Sequence, residues 1–122
     1  MEDPMNTLVA QYLEAWNTTD EAARADAVER IFTPDATYVD PLVSVTGHEQ
    51  LTAAIAGVQA QFPGWVFRPA GPVDGHHDQV RFTWELGPAD GPAVVVGFDV
   101  AIIADGRIAS VYGFLDKVPT AA

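Results

Sequence analysis

The apolar residues of this chain change their spacing once, at Trp65, and that change limits the folds open to it. Before Trp65 the spacing is helical. Met5, Leu8, Val9, Tyr12, Leu13 and Trp16 form a stripe at intervals of three and four, opened by Asp3-Pro4 as cap and first turn. Thr18 and Glu21 have the spacing of a capping box. They would start a second, Ala-rich helix carrying Val28, Ile31 and Phe32 on one side and ended by Pro34-Asp35. Thr46 and Glu49 suggest another box around Gly47, opening a third helix with Leu51, Ile55, Val58 and Phe62 on one face. After Trp65 the period is two. It predicts strands over 65–73, 80–86, 93–104 and 107–114, punctuated by turns at Asp74-Gly75, Asp90-Gly91 and Asp105-Gly106. One short strand, 36–40, lies among the helices and is closed by Pro41.

This order predicts an α+β fold, with three helices packed on one face of a curved, mainly antiparallel sheet. Hairpin links this short leave no room for the crossover helices of a parallel sheet. A chain of 122 residues fits a single domain, 1–122. The charge balance restricts the partners. Seventeen acidic against six basic residues give a net charge of −11, which repels phosphate backbones and anionic lipids, so neither nucleic acid nor a membrane surface is expected. No apolar run approaches the ~20 residues of a bilayer span. The chain also opens without a basic and then apolar leader, so a cytoplasmic location is expected. With no cysteine, thiolate nucleophiles and thiolate metal sites are excluded.

Two carboxyl groups stand out. Asp40 ends the short strand on the same side as Tyr38. If that side faces inward, Asp40 is a general-base candidate at the mouth of an apolar cavity. An aspartate before proline is also a common turn former. Asp99 is the one charged residue in the apolar run 94–103. An isolated carboxylate there is expensive, so it must be paired with a sheet arginine, exposed at an edge, protonated, or facing a wet cavity. Tyr12 sits in the first apolar stripe, where a buried hydroxyl needs a partner. His76 and His77 point to opposite sides of a strand and make a poor chelating pair, so no metal site is expected. Neither a phosphate-binding glycine motif nor a nucleophile elbow is present.

Tyr12-Leu13-Glu14-Ala15-Trp16, Phe32-Thr33-Pro34-Asp35-Ala36, Asp40-Pro41, Gly47-His48-Glu49, Phe98-Asp99-Val100 and Asp105-Gly106-Arg107-Ile108 together resemble the nuclear-transport-factor-2-like superfamily over nearly the whole chain. That cone-shaped fold includes the SnoaL-like polyketide cyclases and the ketosteroid isomerases. The resemblance implies a cofactor-independent isomerase or cyclase acting on a small apolar carbonyl compound, or a non-catalytic binding domain of the same fold. It places Asp40 at the position of the catalytic base of the ketosteroid isomerases. Tyr12 and a protonated Asp99 fall near that enzyme's two oxyanion donors, one of which is a carboxylic acid kept neutral so that it can donate a hydrogen bond. Trp16, Phe32, Tyr38, Phe82, Trp84, Tyr112 and Phe114 would line the pocket. The register of the last hairpin leaves either Tyr112 or Val111 on the face of Asp99. An epoxide-hydrolase variant would need an Asp–Arg pair, and Arg81 alternates away from the apolar wall. Apolar residues on both sheet faces, such as Val94 to Val96 and Ile102-Ile103, predict a homodimer through the outer face.

Overall fold

A computed structural model of the chain describes residues 4–118. The first helix, α1, runs over Pro4–Asn17; Asp3, its expected cap, lies outside the described residues. The second, α2, spans Glu21–Ile31 and is capped by Asp20, whose carboxylate accepts from the Ala23 N–H at 2.9 Å. Thr18 does not cap it, because its hydroxyl turns back to donate to the Glu14 carbonyl at 2.8 Å. Phe32 has already left the helix with extended backbone angles and begins strand β1, Phe32–Val39. The expected break at Pro34-Asp35 therefore falls inside a strand. The strand tolerates proline because its pairing with the neighbouring strand skips from Phe32 to Thr37, so the missing N–H removes no ladder bond. A strand with too short a pattern to detect, β2 (Ser44–Thr46), pairs antiparallel with β1.

Helix α3, His48–Gln61, starts at Gly47 with φ of +87° and no side-chain cap. The Thr46 and Glu49 box is not formed; the Gln50 side chain accepts from the Thr46 N–H instead, at 2.9 Å. Five strands follow: β3 (Trp65–Pro69), β4 (Asp74–His76), β5 (Gln79–Pro88), β6 (Val95–Ala104) and β7 (Arg107–Lys117). Asp74-Gly75 belongs to β4, and the turn lies at His77-Asp78, with His77 at φ of +55°. The turn at Asp105-Gly106 forms as expected, with both residues at positive φ.

The strands make one sheet in the order β2-β1-β7-β6-β5-β3, with β4 also paired to β5. Only the β1–β7 pair is parallel among the described residues. The sheet is thus mixed but mostly antiparallel. The third helix follows β1 and β2, so the helices are not all N-terminal to the sheet. Alternation decides which side chains meet the helices. On β6, Val95, Gly97, Asp99 and Ala101 are buried, while Val96, Phe98, Val100 and Ile102 are half-exposed. Tyr12, Phe32, Leu51, Ile55, Ile108 and Val111 form the centre of the core. Asn17 locks the end of α1 to β3, its amide bonding both the N–H and the carbonyl of Phe67 at 2.7 and 2.9 Å. Gln59 reaches from α3 to the Trp16 and Thr18 carbonyls, both at 2.8 Å. These clamps fix the helix that carries Tyr12 and Trp16.

Gly97 has a separate role, since it is the seat of Trp84. The two residues oppose each other across β5 and β6, and the indole lies where a Cβ of residue 97 would be. Gly97→Ala should displace that indole and cost about 1–3 kcal/mol through overpacking. Urea denaturation read by tryptophan fluorescence checks this, with a red-shifted native spectrum expected alongside the lost stability.

Candidate active site

Between α1, α3 and the inner face of the sheet lies a cavity of about 540 Å³, within the range of small-molecule sites. Tyr12, Tyr38, Asp40, Gln61 and Asp99 are among its polar lining residues, and Leu13, Phe62, Leu86, Val95 and Leu115 are among its apolar walls. Each polar group is placed by its own element. Alternation on β6 turns Asp99 inward, and the helical stripe of α1 brings Tyr12 over it. The Tyr12 hydroxyl donates to Asp99 Oδ2 at 3.0 Å. Both residues are buried, Asp99 at 1% exposure.

Asp40 follows the last residue of β1, with Tyr38 two positions before it on the same side. The Tyr38 hydroxyl donates to Asp40 Oδ2 at 2.7 Å. The other oxygen, Oδ1, accepts from the N–H groups of Leu42 and Val43 at 2.8 and 2.9 Å. Turn former and cavity carboxyl, the two readings of an aspartate before proline, are both true of Asp40, one for each oxygen. A carboxylate has about four lone-pair positions; three are used here, and the remaining one is on Oδ2.

Gly113 lies between the two acids. It pairs with Asp99 across β6 and β7, and a Cβ there would stand 2.9 Å from Asp99 Oδ1 and 3.3 Å from the Asp40 Cβ. No arginine answers Asp99. Arg81 pairs with Asp74 at 3.0 Å on the outside, Arg68 bonds the Pro88 and Gly91 carbonyls, and Arg107 bonds the Glu29 and Phe32 carbonyls. Asp99 Oδ1 and the Trp16 indole nitrogen are buried without a hydrogen-bond partner.

Burial is the main cause that raises the Asp99 pKa, to about 6; the Trp84 indole and the Tyr12 hydroxyl oppose it, and the Asp40 charge adds to it. Trp84 exerts that influence without reaching hydrogen-bonding geometry, as the unpartnered Oδ1 records. The shift is in the direction expected of a protonated acid but stops short of neutral pH; drying of the cavity by a ligand would carry it further. Burial also raises Tyr12 well above its ordinary value, aided by the Asp99 charge. Tyr38 is likewise raised far above its usual range, by burial and then by the charges of Asp99 and Asp40.

Of the expected wall residues, Trp16, Tyr38 and Trp84 line the cavity. Phe32 and Phe82 stand behind it, packed edge-on against the Tyr12 ring at 6.0 and 5.5 Å. Tyr112 and Phe114 lie on the other face of the sheet, 46% and 56% exposed. The pairings of Asp99 with Gly113 and of Ala101 with Val111 put Val111 on the face of Asp99 and leave Tyr112 on the other. Phe67, Leu42 and Val118 also line the cavity. Leu42 is in a loop, where no period marks it. His76 and His77 are exposed, away from the cavity.

A SnoaL-like domain profile matches residues 9–111. The chain is similar to a protein provisionally described as an isomerase of the SnoaL-like family from Agrobacterium tumefaciens, with 38% identity, 93% of this chain and 97% of that one covered, and a TM-score of 0.89. The fold is shared with a provisional polyketide cyclase from Sinorhizobium meliloti (20% identity, 92% and 99% covered, TM-score 0.71). It is shared as well with a provisional ketosteroid isomerase from Kribbella flavida (15% identity, 98% and 82% covered, TM-score 0.70). No curated protein matches the chain.

The raised Asp99 value has a definite effect on stability. The folded state holds this proton more tightly than the unfolded chain, whose aspartates titrate near 4. The contribution of Asp99 is therefore fully present below about pH 4 and is lost as pH rises through about 6. Against Asp99→Asn, the wild type should lose on the order of 2–3 kcal/mol across that window, measured by urea denaturation at a series of pH values. A constant difference between the two proteins would contradict the buried carboxyl.

Proposed function

The chain belongs to the SnoaL-like family, and we propose that it is a cofactor-independent acid–base catalyst, an isomerase or cyclase, acting on a small apolar carbonyl compound. The observation that carries this reading is the meeting of Asp40, Tyr12 and Asp99 in a cavity walled by aromatic and aliphatic side chains. The unused lone pair of Asp40 Oδ2 would take the proton from the carbon beside the substrate carbonyl. In an isomerase the same proton returns at another carbon of the resulting dienolate. In a cyclase the enolate carbon instead attacks a second carbonyl of the same molecule, and Asp40 gives up its proton to the new alkoxide. Asp99 Oδ2 is already held by the Tyr12 hydroxyl, at 3.0 Å. Once protonated it donates to the Tyr12 oxygen, and the Tyr12 proton is then released toward the developing enolate oxygen. Tyr12 is thus the proposed donor and Asp99 the residue that arms it.

A non-catalytic binding domain is the second reading. What favours it is that both carboxyls already have partners within the protein: three donors on Asp40 and Tyr12 on Asp99. Hydrogen exchange at the carbon beside the carbonyl separates the two. With 2-tetralone in deuterated buffer, followed by NMR, the wild type should accelerate exchange, and Asp40→Asn should lower the rate about 10²-fold or more while remaining folded. No acceleration by the wild type across a set of bicyclic ketones would leave the binding reading in place.

We also propose a homodimer through the outer sheet face. Phe98 pairs with Phe114 and Val100 with Tyr112 across β6 and β7, and no helix covers that face among the described residues. Exposed apolar patches of this kind mark interfaces. Sedimentation velocity at micromolar concentration should find a dimer, and a monomer there would contradict this.

A further inference from the structure

The cavity has an electrostatic character that acid–base chemistry does not require. No lysine, arginine or histidine is among the described residues that line it. The two ion pairs of the described residues, Arg30–Asp26 and Arg81–Asp74, are both at the surface. Asp40 and Asp99 therefore face the cavity without a counter-ion. Asp40 only accepts hydrogen bonds, from the Tyr38 hydroxyl and two backbone N–H groups, a pattern that suits a carboxylate. Asp99 adds a buried oxygen with no partner.

Around these acids stand aromatic rings. The Trp16 ring centre lies 5.4 Å from that of Tyr38 and 5.4 Å from that of Phe67, and Phe67 lies 5.2 Å from Trp84. Successive rings are inclined by 47°, 57° and 65°. Trp16, Tyr38, Phe67 and Trp84 all line the cavity, so a ligand seated there packs against aromatic rings. Aromatic faces carry partial negative charge and attract cations, most strongly where water is excluded. A carboxylate without a counter-ion and an aromatic lining favour the same ligand and disfavour an anion.

We propose that this cavity binds a monovalent organic cation, a lipophilic tertiary or quaternary amine, with its nitrogen between the Asp40 carboxylate and the rings of Trp16 and Tyr38. Its apolar remainder packs against Leu13, Phe62 and Leu115. This specificity goes beyond the acid–base reading and does not depend on turnover: a carbonyl-bearing amine would satisfy both, and an unreactive ammonium tests the charge of the site alone.

Three probes of nearly equal shape provide the test: benzyltrimethylammonium, its uncharged isostere neopentylbenzene, and the anion phenylmethanesulfonate. Binding is followed through the fluorescence of Trp16 and Trp84. Titrations are made at about 1 M salt, where a screening length of about 3 Å removes the general attraction of the acidic surface. The cation should bind about tenfold or more tightly than the isostere, and the sulfonate should not bind. Asp40→Asn should reduce the cation's affinity about tenfold and leave that of the isostere unchanged. Equal binding of cation and isostere, measurable binding of the sulfonate, no binding of the cation, or a preference that survives in Asp40→Asn would overturn the proposal. The comparison among probes on the wild type requires no variant to fold. Loss of ketone exchange with the cation preference intact would refute the catalytic reading and leave this one standing.

Discussion

A carboxyl group in the middle of a central strand must be answered from within the protein, and Asp99 is answered by the hydroxyl of Tyr12. That contact crosses 87 positions of sequence and joins the first helix to the sheet. Much of the architecture around it serves its geometry. Asn17 and Gln59 hold the end of α1 against β3 and α3. Phe32 and Phe82 wedge the Tyr12 ring from behind. Gly113 leaves the space that Asp99 Oδ1 occupies. An unpaired carboxylate in this position would be strongly disfavoured, so the placement of the helix and the chemistry of the site depend on the same hydrogen bond.

The second acid is positioned by a different kind of interaction. Asp40 owes its place to a local turn, with Oδ1 tied to two backbone N–H groups of its own loop. That loop carries Leu42, a cavity-lining residue that is 77% exposed. The carboxylate and the rim of the cavity are therefore set by one short segment. The two acids differ in burial, with Asp40 half-buried and Asp99 enclosed. The difference separates their roles, since the deeper group holds its proton more readily and the outer one keeps a free lone pair.

Much of this could be read from the sequence, and the exceptions have physical reasons. The α1 stripe and the alternation of β5 and β6 were legible because each buries one face against the core, which imposes a period. Asp99 was legible because a lone acid in an apolar strand is costly. The boundary at Phe32 was not legible, since a core phenylalanine suits a helix face and a strand equally well. Pro34 reads as a helix end, and the skipped pairing that tolerates it in a strand depends on β7, far along the chain. Neither expected capping box forms: the Thr18 hydroxyl turns back to the Glu14 carbonyl and Asp20 caps α2 through the Ala23 N–H, while Gln50 takes the Thr46 N–H. Tyr112 and Phe114 look like wall residues in a sequence. Only the pairing of Gly113 with Asp99 turns them to the outer face, and one residue of register decides that.

The dependence of the site on the Tyr12–Asp99 contact is tested most directly by the carboxyl titration of Asp99, followed by carbon-detected NMR in the wild type and in Tyr12→Phe. A midpoint at about 6 is expected in the wild type. A higher midpoint is expected in the variant, because the hydroxyl that favours the ion is gone while the burial remains. A wild-type midpoint in the ordinary aspartate range near 4, or one that does not move when the hydroxyl is removed, would contradict it.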